Sequence, residues 1–564
     1  MEKEVFAFGP YRLDLGQGVL LRGGEPVPLV PKAVELLGAL VRQAGRVVRK
    51  SELIQSLWPD VVVEEANLAK LVFLLRKELG DGLIETLPKR GYRFTAPLSP
   101  PAPQPAEVVA VLPFRDLSEG GTEGSFCEGV SEEILNAVSR LPGTKVVARS
   151  SSFKLAGLDV KEIGEKLRAT LLVEGSIRRS GAQLRIAARL VDVTSGYHRW
   201  SRVFEKPAAD VFSLQAEIAG EVARSIRPDS TAAPECTAAV NLEAYELYLK
   251  GRYHWNRRPG PVVFEALKCF EQVIEREPRF ALAWAGIADI YATLGSWESG
   301  VLEPAAAQAK ARAAAARALE IDPNLGEAHT TLAYTALHHG WNVPRSEEGF
   351  RRALQLNPSY SAAHHWYSHC LVAAARFDES LRESRQALAL DPMNLLMSVH
   401  LAWHHHMARQ PSLTLEQSER VIGMDRDYHW GHYFAGWGAE SLGDSRRAVE
   451  EMRAAVRCSN EDPVMVAGLA RALASAGDRK KALEALRDLE RQRKGRALFA
   501  YEMALVHLAL GERERALEML ERACRENSGW MAYLAVDPRL DQVRGDRRFE
   551  ALRAVGLLKD LGTP

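Results

Sequence analysis

A 34-residue periodicity constrains this chain more than any other feature. Gly443, Gly477 and Gly511 are spaced 34 apart, and Ala448, Ala482 and Ala516 keep the same interval. The register extends upward through Thr414 and Ser380, and Pro323, Pro358 and Pro392 close the related phrases RALEIDP, RALQLNP and QALALDP. Such a period reads as a helix pair, which cannot bury its apolar side alone. Neighbouring pairs therefore stack into a curved α-solenoid whose first helices line a concave groove. Roughly eight repeats are expected across 240–530. The departures are an insertion near Trp297–Pro304, a shorter one near Trp341–Pro344, and poorly placed prolines in the later repeats. Residues 531–564, with DPRLDQVRGDRRFEALRAVGL, are expected to form a capping helix over the last apolar face.

With Trp284, Tyr291 and the alanines, these phrases make the array resemble tetratricopeptide repeats. Counting each repeat from Ser361, Leu395 and His429, positions 2, 5, 9 and 12 collect His365, His369, Leu396, Trp403, His406, Trp430, Tyr433 and Trp437. Two readings stand side by side: an aromatic groove that anchors a protein, a peptide or a small effector, and ordinary core packing. Twelve of the fifteen histidines fall between His329 and His432. His365 and His369 share one helical face at i and i+4, a spacing that suits two metal ligands. No acidic or cysteine third ligand keeps register, and His404–His406 point in three directions. Packing histidines are therefore preferred over a pH-sensitive surface or a metal site, and neither a metal nor a cofactor is expected.

The first hundred residues carry a different signal. Leu68, Leu71, Val72, Leu75 and Leu79 form one apolar helical face, leaving Lys70, Phe73, Arg76 and Lys77 on the other. Asn67 is read as the N-cap, and Gly80-Asp81-Gly82 as the stop. Two extended runs follow, Leu83–Leu87 and Tyr92–Thr95, joined by Pro88-Lys89-Arg90-Gly91. Over 66–97 the cations Lys70, Arg76, Lys77, Lys89, Arg90 and Arg93 outnumber Glu78, Asp81 and Glu85. Lys and Arg neutralise phosphates, and Arg can also take guanine in a bidentate pair, so this surface suits duplex DNA. Upstream lie four short strand signals (6–8, 11–15, 19–22, 26–29), a helix over 32–43, and a helix from a capping Ser51 through Trp58.

The order of sheet, three helices and wing, carried by LVPKAVELLGALV, VVRKSELIQSLWPD, NLAKLVFLLRKELGD and IETLPKRGYRF, resembles the OmpR/PhoB-type winged helix-turn-helix, especially its CadC-like form. The resemblance implies an α+β DNA-binding domain over 1–97. It places the helix near Asn67–Leu79 in the major groove, the wing around Lys89, Arg90 and Arg93 at the minor groove, a loop at 60–65 able to face RNA polymerase, and a homodimer on promoter DNA. Phe73 and Leu74 depart from the family, where polar or basic groups are common. Phe73 can meet a thymine methyl or pack against another protomer or segment.

Length argues for several domains, since 564 residues exceed one core. With 73 Lys and Arg balanced by 73 Asp and Glu, general coating of nucleic acid is disfavoured and binding should be focal. The opening MEKEVFAF is not a signal peptide, and runs such as LLGALV are too short to span a bilayer. A soluble, cytoplasmic, bacterial protein is expected. The stiff proline-rich stretch Pro97–Pro105, overlapping a linker at 98–106, stands where CadC-like sensors continue into a membrane helix. Cys127, Cys236, Cys269, Cys370, Cys458 and Cys524 show no CxxC pairing and read as reduced thiols.

Residues 107–228 alternate strand and helix signals and read as an α/β domain. The motifs VAVLPF, FCEGVSEEI, LVEGSIRRSG, LRIAARLVD and TSGYHRWSRVF resemble TolB-N-terminal-like or FlgO-like domains. Phosphate-cradling and zincin motifs are missing. Ser150-Ser151-Ser152 with Arg185 and Arg189 invite an anion site, yet a loop and an exposed strand face are the preferred readings. The chain is thus expected to be multidomain and predominantly α. Its expected function is that of a one-component, sequence-specific transcription regulator, not an enzyme, with the repeats binding a partner or effector. The alternatives are a signalling scaffold whose head contacts protein, and a nucleotide-related enzyme using the middle block.

Overall fold

The computed structural model describes residues 5–560 apart from 16–17, 24, 60, 62, 81, 99–106, 120–122, 141–143, 227–240, 257–261, 296–301 and 493–499. The linker, Cys236, Asp81, most of the 297–304 insertion and part of the 60–65 loop lie outside those residues. The chain divides into two compact units, Met1–Ala106 and Glu107–Pro564.

The first unit opens with antiparallel strands β1 (Val5–Phe8), β2 (Tyr11–Asp14), β3 (Val19–Arg22) and β4 (Glu25–Pro26), in that spatial order. Helices α1 (Pro31–Val41), α2 (Lys50–Leu57) and α3 (Glu65–Leu79) follow, with β5 (Val47–Arg49) between the first two. Strands β6 (Ile84–Leu87) and β7 (Gly91–Phe94) then make the wing, and β7 lies between β5 and β6. Gly91 is obligatory there. Its φ is 149°, and a Cβ would stand 1.9 Å from the carbonyl oxygen of Val48 on β5. One core joins Phe8, Leu13, Leu37, Leu68, Leu75 and Phe94.

Two helix starts differ from expectation. Helix α2 begins at Lys50, not after a capping Ser51, because the Glu52 carboxylate accepts the Arg49 N–H at 3.2 Å where β5 runs straight into the helix. Helix α3 begins at Glu65, with Glu64 rather than Asn67 as N-cap. A Glu65–Lys50 ion pair at 2.7 Å secures that extra turn against α2.

The second unit begins with a mixed sheet: β8 (Val108–Val111), β9 (Arg115–Asp116), β10 (Lys145–Val146), β11 (Leu171–Ser180), β12 (Gln183–Asp192) and β13 (His198–Pro207). Its order is β10-β8-β11-β12-β13, with β9 also on β11. The pairs among β8, β10 and β11 are parallel, and β11 to β13 form an antiparallel meander. Helices α4 (Gly124–Ser139) and α7 (Val211–Ile226) cover one face through Val130, Ile134, Leu214 and Ile218. The short turn α5 (Arg149–Ser152) and α6 (Val160–Leu167) lie on the other side, where Ile163 and Leu167 join Ala110 and Leu172.

Sixteen helices in eight pairs follow among the described residues, from Leu242–Asn256 to Arg513–Arg525. The 34-residue register has a backbone cause. Trp341, Ala375, Arg409, Gly443, Gly477, Gly511 and Gly545 all hold left-handed φ values between 50° and 84° at the turns within or after the repeats. Gly545 shows that the cap is a degenerate further repeat. Its first helix is replaced by 3-10 turns at Gly529–Tyr533 and Pro538–Val543, and Arg547–Asp560 supplies the second.

The α/β layer and the solenoid share one core, in which Val130 and Ile134 of α4 join Tyr245 and Tyr248 of the first repeat helix. Later repeats grip the same layer through their inter-repeat turns. Ser359 Oγ donates to the Thr144 carbonyl at 3.0 Å, and the Ala148 N–H donates to the Leu390 carbonyl at 2.7 Å.

Candidate functional site

In the first unit, α3 presents two faces of opposite character. Leu68, Leu71, Val72, Leu75 and Leu79 are buried, whereas Lys70 and Lys77 are exposed and flank Phe73, which is 67% exposed. Leu74 turns partly into the core, so the unusual Phe73-Leu74 pair is split between surface and interior. Asn67 is exposed in the first turn of the same helix. At the wing tip Lys89 and Arg90 are exposed, with Lys89 in the left-handed region at φ 62°.

Arg76 and Arg93 are engaged inside the unit. The Arg76 guanidinium donates to the Ile84 carbonyl from Nε (3.1 Å) and Nη2 (2.6 Å), and Nη2 also donates to Thr86 Oγ1 at 2.7 Å. Arg76 therefore clamps the wing to α3 instead of reaching outward as the sequence implied. Arg93 pairs with Glu85 across the hairpin, its Nε at 2.9 Å. Of the cations that the sequence assigns to DNA, Lys70 and Lys77 on the helix and Lys89 and Arg90 on the wing are the ones left exposed.

In the second unit, the anticipated groove residues are largely interior. His365, His369, Trp403, His406, Tyr433 and Trp437 are each at most 5% exposed, and Trp430 is half-buried against the same cluster. Much of what covers them is the chain's own C-terminal segment. Trp530 packs edge-on to Trp403 and is stacked on Tyr501, and Tyr533 meets Trp403 with ring centroids 5.0 Å apart. The Tyr533 hydroxyl lies 3.0 Å from His338 Nε2 and 3.4 Å from His369 Nδ1. Arg539 stands over Trp437 at 3.8 Å and forms a buried pair with Asp537 at 2.6 Å. A cavity of about 270 Å³ beside this segment is lined by His406, Glu440, Arg471 and Arg539, among others.

Burial, reinforced by neighbouring imidazoles, holds His365, His369 and His404 well below the usual histidine range. Burial, with Arg539 nearby, pushes His406 down to about 3. These groups stay neutral at physiological pH, so they do not form a pH-sensitive surface. The third partner missing from the sequence register is present in space. His400 Nδ1 lies 3.1 Å from both His365 Nε2 and His369 Nε2. The 34-residue register does not reveal His400, because it falls 35 residues after His365, one beyond the repeat interval.

The suggested anion site in the middle block is not assembled. Ser150 and Ser151 hydroxyls each donate to the Asp391 carboxylate at 2.5 Å, while Arg185 pairs with Glu205 at 3.4 Å and Arg189 with Glu174 at 2.7 Å. The serines lie on a helical turn and dock a repeat. Five described cysteines are free thiols. Among the described residues no helix is long and apolar enough to cross a membrane.

A winged helix with a cationic reading face and wing, carried by a chain whose bulk is a helical repeat array, defines a DNA-binding transcription regulator with an OmpR/PhoB-type head. Residues 24–94 match the family described as "Transcriptional regulatory protein, C terminal". The chain is 27% identical to the transcriptional regulator HilA of Salmonella typhi over 413 residues, covering 71% of this chain and 72% of that protein. It is 30% identical over 243 residues to a protein named putative adenylate cyclase 3 of Rhizobium meliloti (strain 1021), covering 42% and 41% of the two. Among solved structures, the DNA-binding domain of E. coli CadC is matched at 27% identity, covering 18% of this chain and 98% of that one, with a TM-score of 0.16.

Proposed function

We propose that the chain reads promoter DNA with the exposed stripe Asn67, Lys70, Phe73 and Lys77 in the major groove and with Lys89 and Arg90 at the flanking backbone or minor groove. The observation that carries this reading is the division of α3. Its apolar side is spent on the core, so its cations project from a rigid element. Arg76 serves the reading indirectly by fixing the wing to the helix, and Arg93 by stiffening the hairpin. The exposed Phe73 supports contact with a thymine methyl or a second protomer, and the loop around residues 60–65 is the candidate contact for RNA polymerase. The body acts as the input arm and performs no turnover. Supporting this, the serines and arginines that suggested chemistry in the α/β layer are engaged in docking and ion pairs. A role on promoter DNA is one performed in the bacterial cytoplasm.

The test is genome-wide mapping of DNA bound by the native chain, repeated with Lys89→Ala/Arg90→Ala. A recurrent short motif is expected, with occupancy reduced at every site in the variant. Binding without a motif, or occupancy indifferent to the wing, overturns the proposal.

A further inference from the structure

We propose that His365, His369 and His400 form a three-imidazole site for a divalent transition-metal ion of the zinc type, built into the inner face of the solenoid. His365 and His369 lie one turn apart on the helix Ser361–Ala373, and His400 projects from the next repeat's first helix, Leu395–Met407. Their ligand-capable nitrogens all lie within 4.8 Å of one another. His400 Nδ1 is the shared vertex, 3.1 Å from His365 Nε2 and 3.1 Å from His369 Nε2. A tetrahedral ion bound at about 2.0–2.1 Å holds its nitrogen ligands about 3.3–3.4 Å apart. Small shifts of a few side chains would therefore suffice.

The proton count favours an ion over a purely hydrogen-bonded triad. A neutral imidazole has one N–H and one lone pair. His400 Nδ1 has a single hydrogen or a single lone pair, yet two other ring nitrogens converge on it. One contact is then poorly made whichever tautomers are chosen, and the loss occurs where all three side chains are at most 4% exposed. A metal ion accepts all three lone pairs at once. Imidazole donors suit zinc, copper, iron, cobalt and nickel rather than magnesium or calcium. No carboxylate belongs to the triad, so the ion keeps its charge and a fourth position remains for a small oxygen or anionic donor.

The surroundings resemble an outer ligand shell. The Tyr533 hydroxyl faces His369 Nδ1 at 3.4 Å, where the ring carries its proton if Nε2 binds metal, and the same hydroxyl lies 3.0 Å from His338 Nε2. His365 stacks on His400 with centroids 5.0 Å apart and planes 9° from parallel, and Trp366 and Trp403 close the apolar wall. Because Tyr533 belongs to the C-terminal segment, metal binding is linked to the seating of that segment in the groove. This inference rests on the triad's geometry and is independent of DNA recognition.

The test uses the full, untagged chain, freed of metal by a chelator and titrated with Co²⁺ while visible absorption is followed. Saturation at one Co²⁺ per chain is expected, with the intense bands of a tetrahedral nitrogen-bound ion, displacement by Zn²⁺, and a rise in Tm on loading. His400→Ala should abolish the bands. His405→Gln should keep them, since His405 is held by Gln410 at 2.7 Å, away from the triad. Tyr533→Phe should weaken binding about tenfold. The wild-type titration is decisive even if His400→Ala fails to fold: no saturable band at one equivalent overturns the proposal. Bands that persist in a folded His400→Ala, or vanish in a folded His405→Gln, overturn it as well.

Discussion

Removing cations from α3 should have two distinct outcomes, depending on which cation is removed. Lys70 and Lys77 are exposed on the reading face, whereas Arg76 spends its guanidinium on Ile84 and Thr86 of the wing. Each phosphate contact adds about 0.9 to the slope of log K against log salt. Lys70→Ala/Lys77→Ala should therefore reduce the slope by about 1.8 and, at 0.1 M salt, weaken binding by up to ~60-fold if counterion release is the whole effect. Stability should change by less than about 0.5 kcal/mol, as for ordinary surface changes. Arg76→Ala instead removes charge-assisted bonds at a partly exposed site, a loss of roughly 1–2 kcal/mol after allowing for solvent. It should raise amide exchange through 84–94. The assays are fluorescence anisotropy on the mapped promoter across a salt series and hydrogen exchange on the full chain. An unchanged slope in the lysine pair, or full wing protection in Arg76→Ala, refutes the division of roles.

Three further perturbations probe the rest of the molecule. Asp537→Asn leaves the buried Arg539 without its counter-charge and should cost roughly 3–5 kcal/mol by denaturant melting; a cost below ~1 kcal/mol would mean the pair is not closed in solution. Burial alone would raise the Asp537 pKa, but the charge and hydrogen bonds of Arg539 overcome it and hold the group at about 2, below its ordinary 3.8. Its stabilisation is therefore full above about pH 4 and lost as pH falls towards 2, which an acid titration of wild type against Asp537→Asn will show. Gly91→Ala drives a methyl into the Val48 carbonyl and should destabilise the head on the order of 3 kcal/mol, seen as lost protection of the β5–β7 pair. Phe73→Ser should leave thermal stability within ~0.5 kcal/mol while weakening promoter binding; a clear drop in Tm would show that Phe73 packs inside its own head.

What was legible in the sequence was one-sided burial. The buried face of α3 is the set of five residues read from the 3.6 period, and the solenoid register was equally plain, because water and a core sort residues by local spacing. What was hidden depends on contacts distant in sequence. Asn67 has a good capping side chain, but Lys50 draws Glu65, fifteen residues further along the chain, into the helix and moves the start. Arg76 became a clamp only when the hairpin folded back. Ser150 and Ser151 found Asp391 some 240 residues away, and Tyr533 crossed 195 residues to reach His338. No periodicity encodes such meetings. The last of them follows from the stacking of the repeats, which returns the end of the chain to their inner helices.

That return changes what input through the groove requires. A short tether gives an intramolecular segment an effective concentration of about a millimolar. A free peptide at micromolar concentration would need about a thousandfold stronger binding to displace the segment from Gly529 to Val543, against stacked Trp530 and the buried Asp537–Arg539 pair. Simple replacement is therefore a demanding route for a signal. A ligand that alters how firmly the segment is seated faces no such competition, because it needs only a different affinity for the seated and loosened states. Tyr533 joins the segment to His369 and His338, so an ion bound at the proposed histidine triad would act on that balance directly. The groove is better understood as a seat whose grip can be tuned than as an open cleft awaiting a partner.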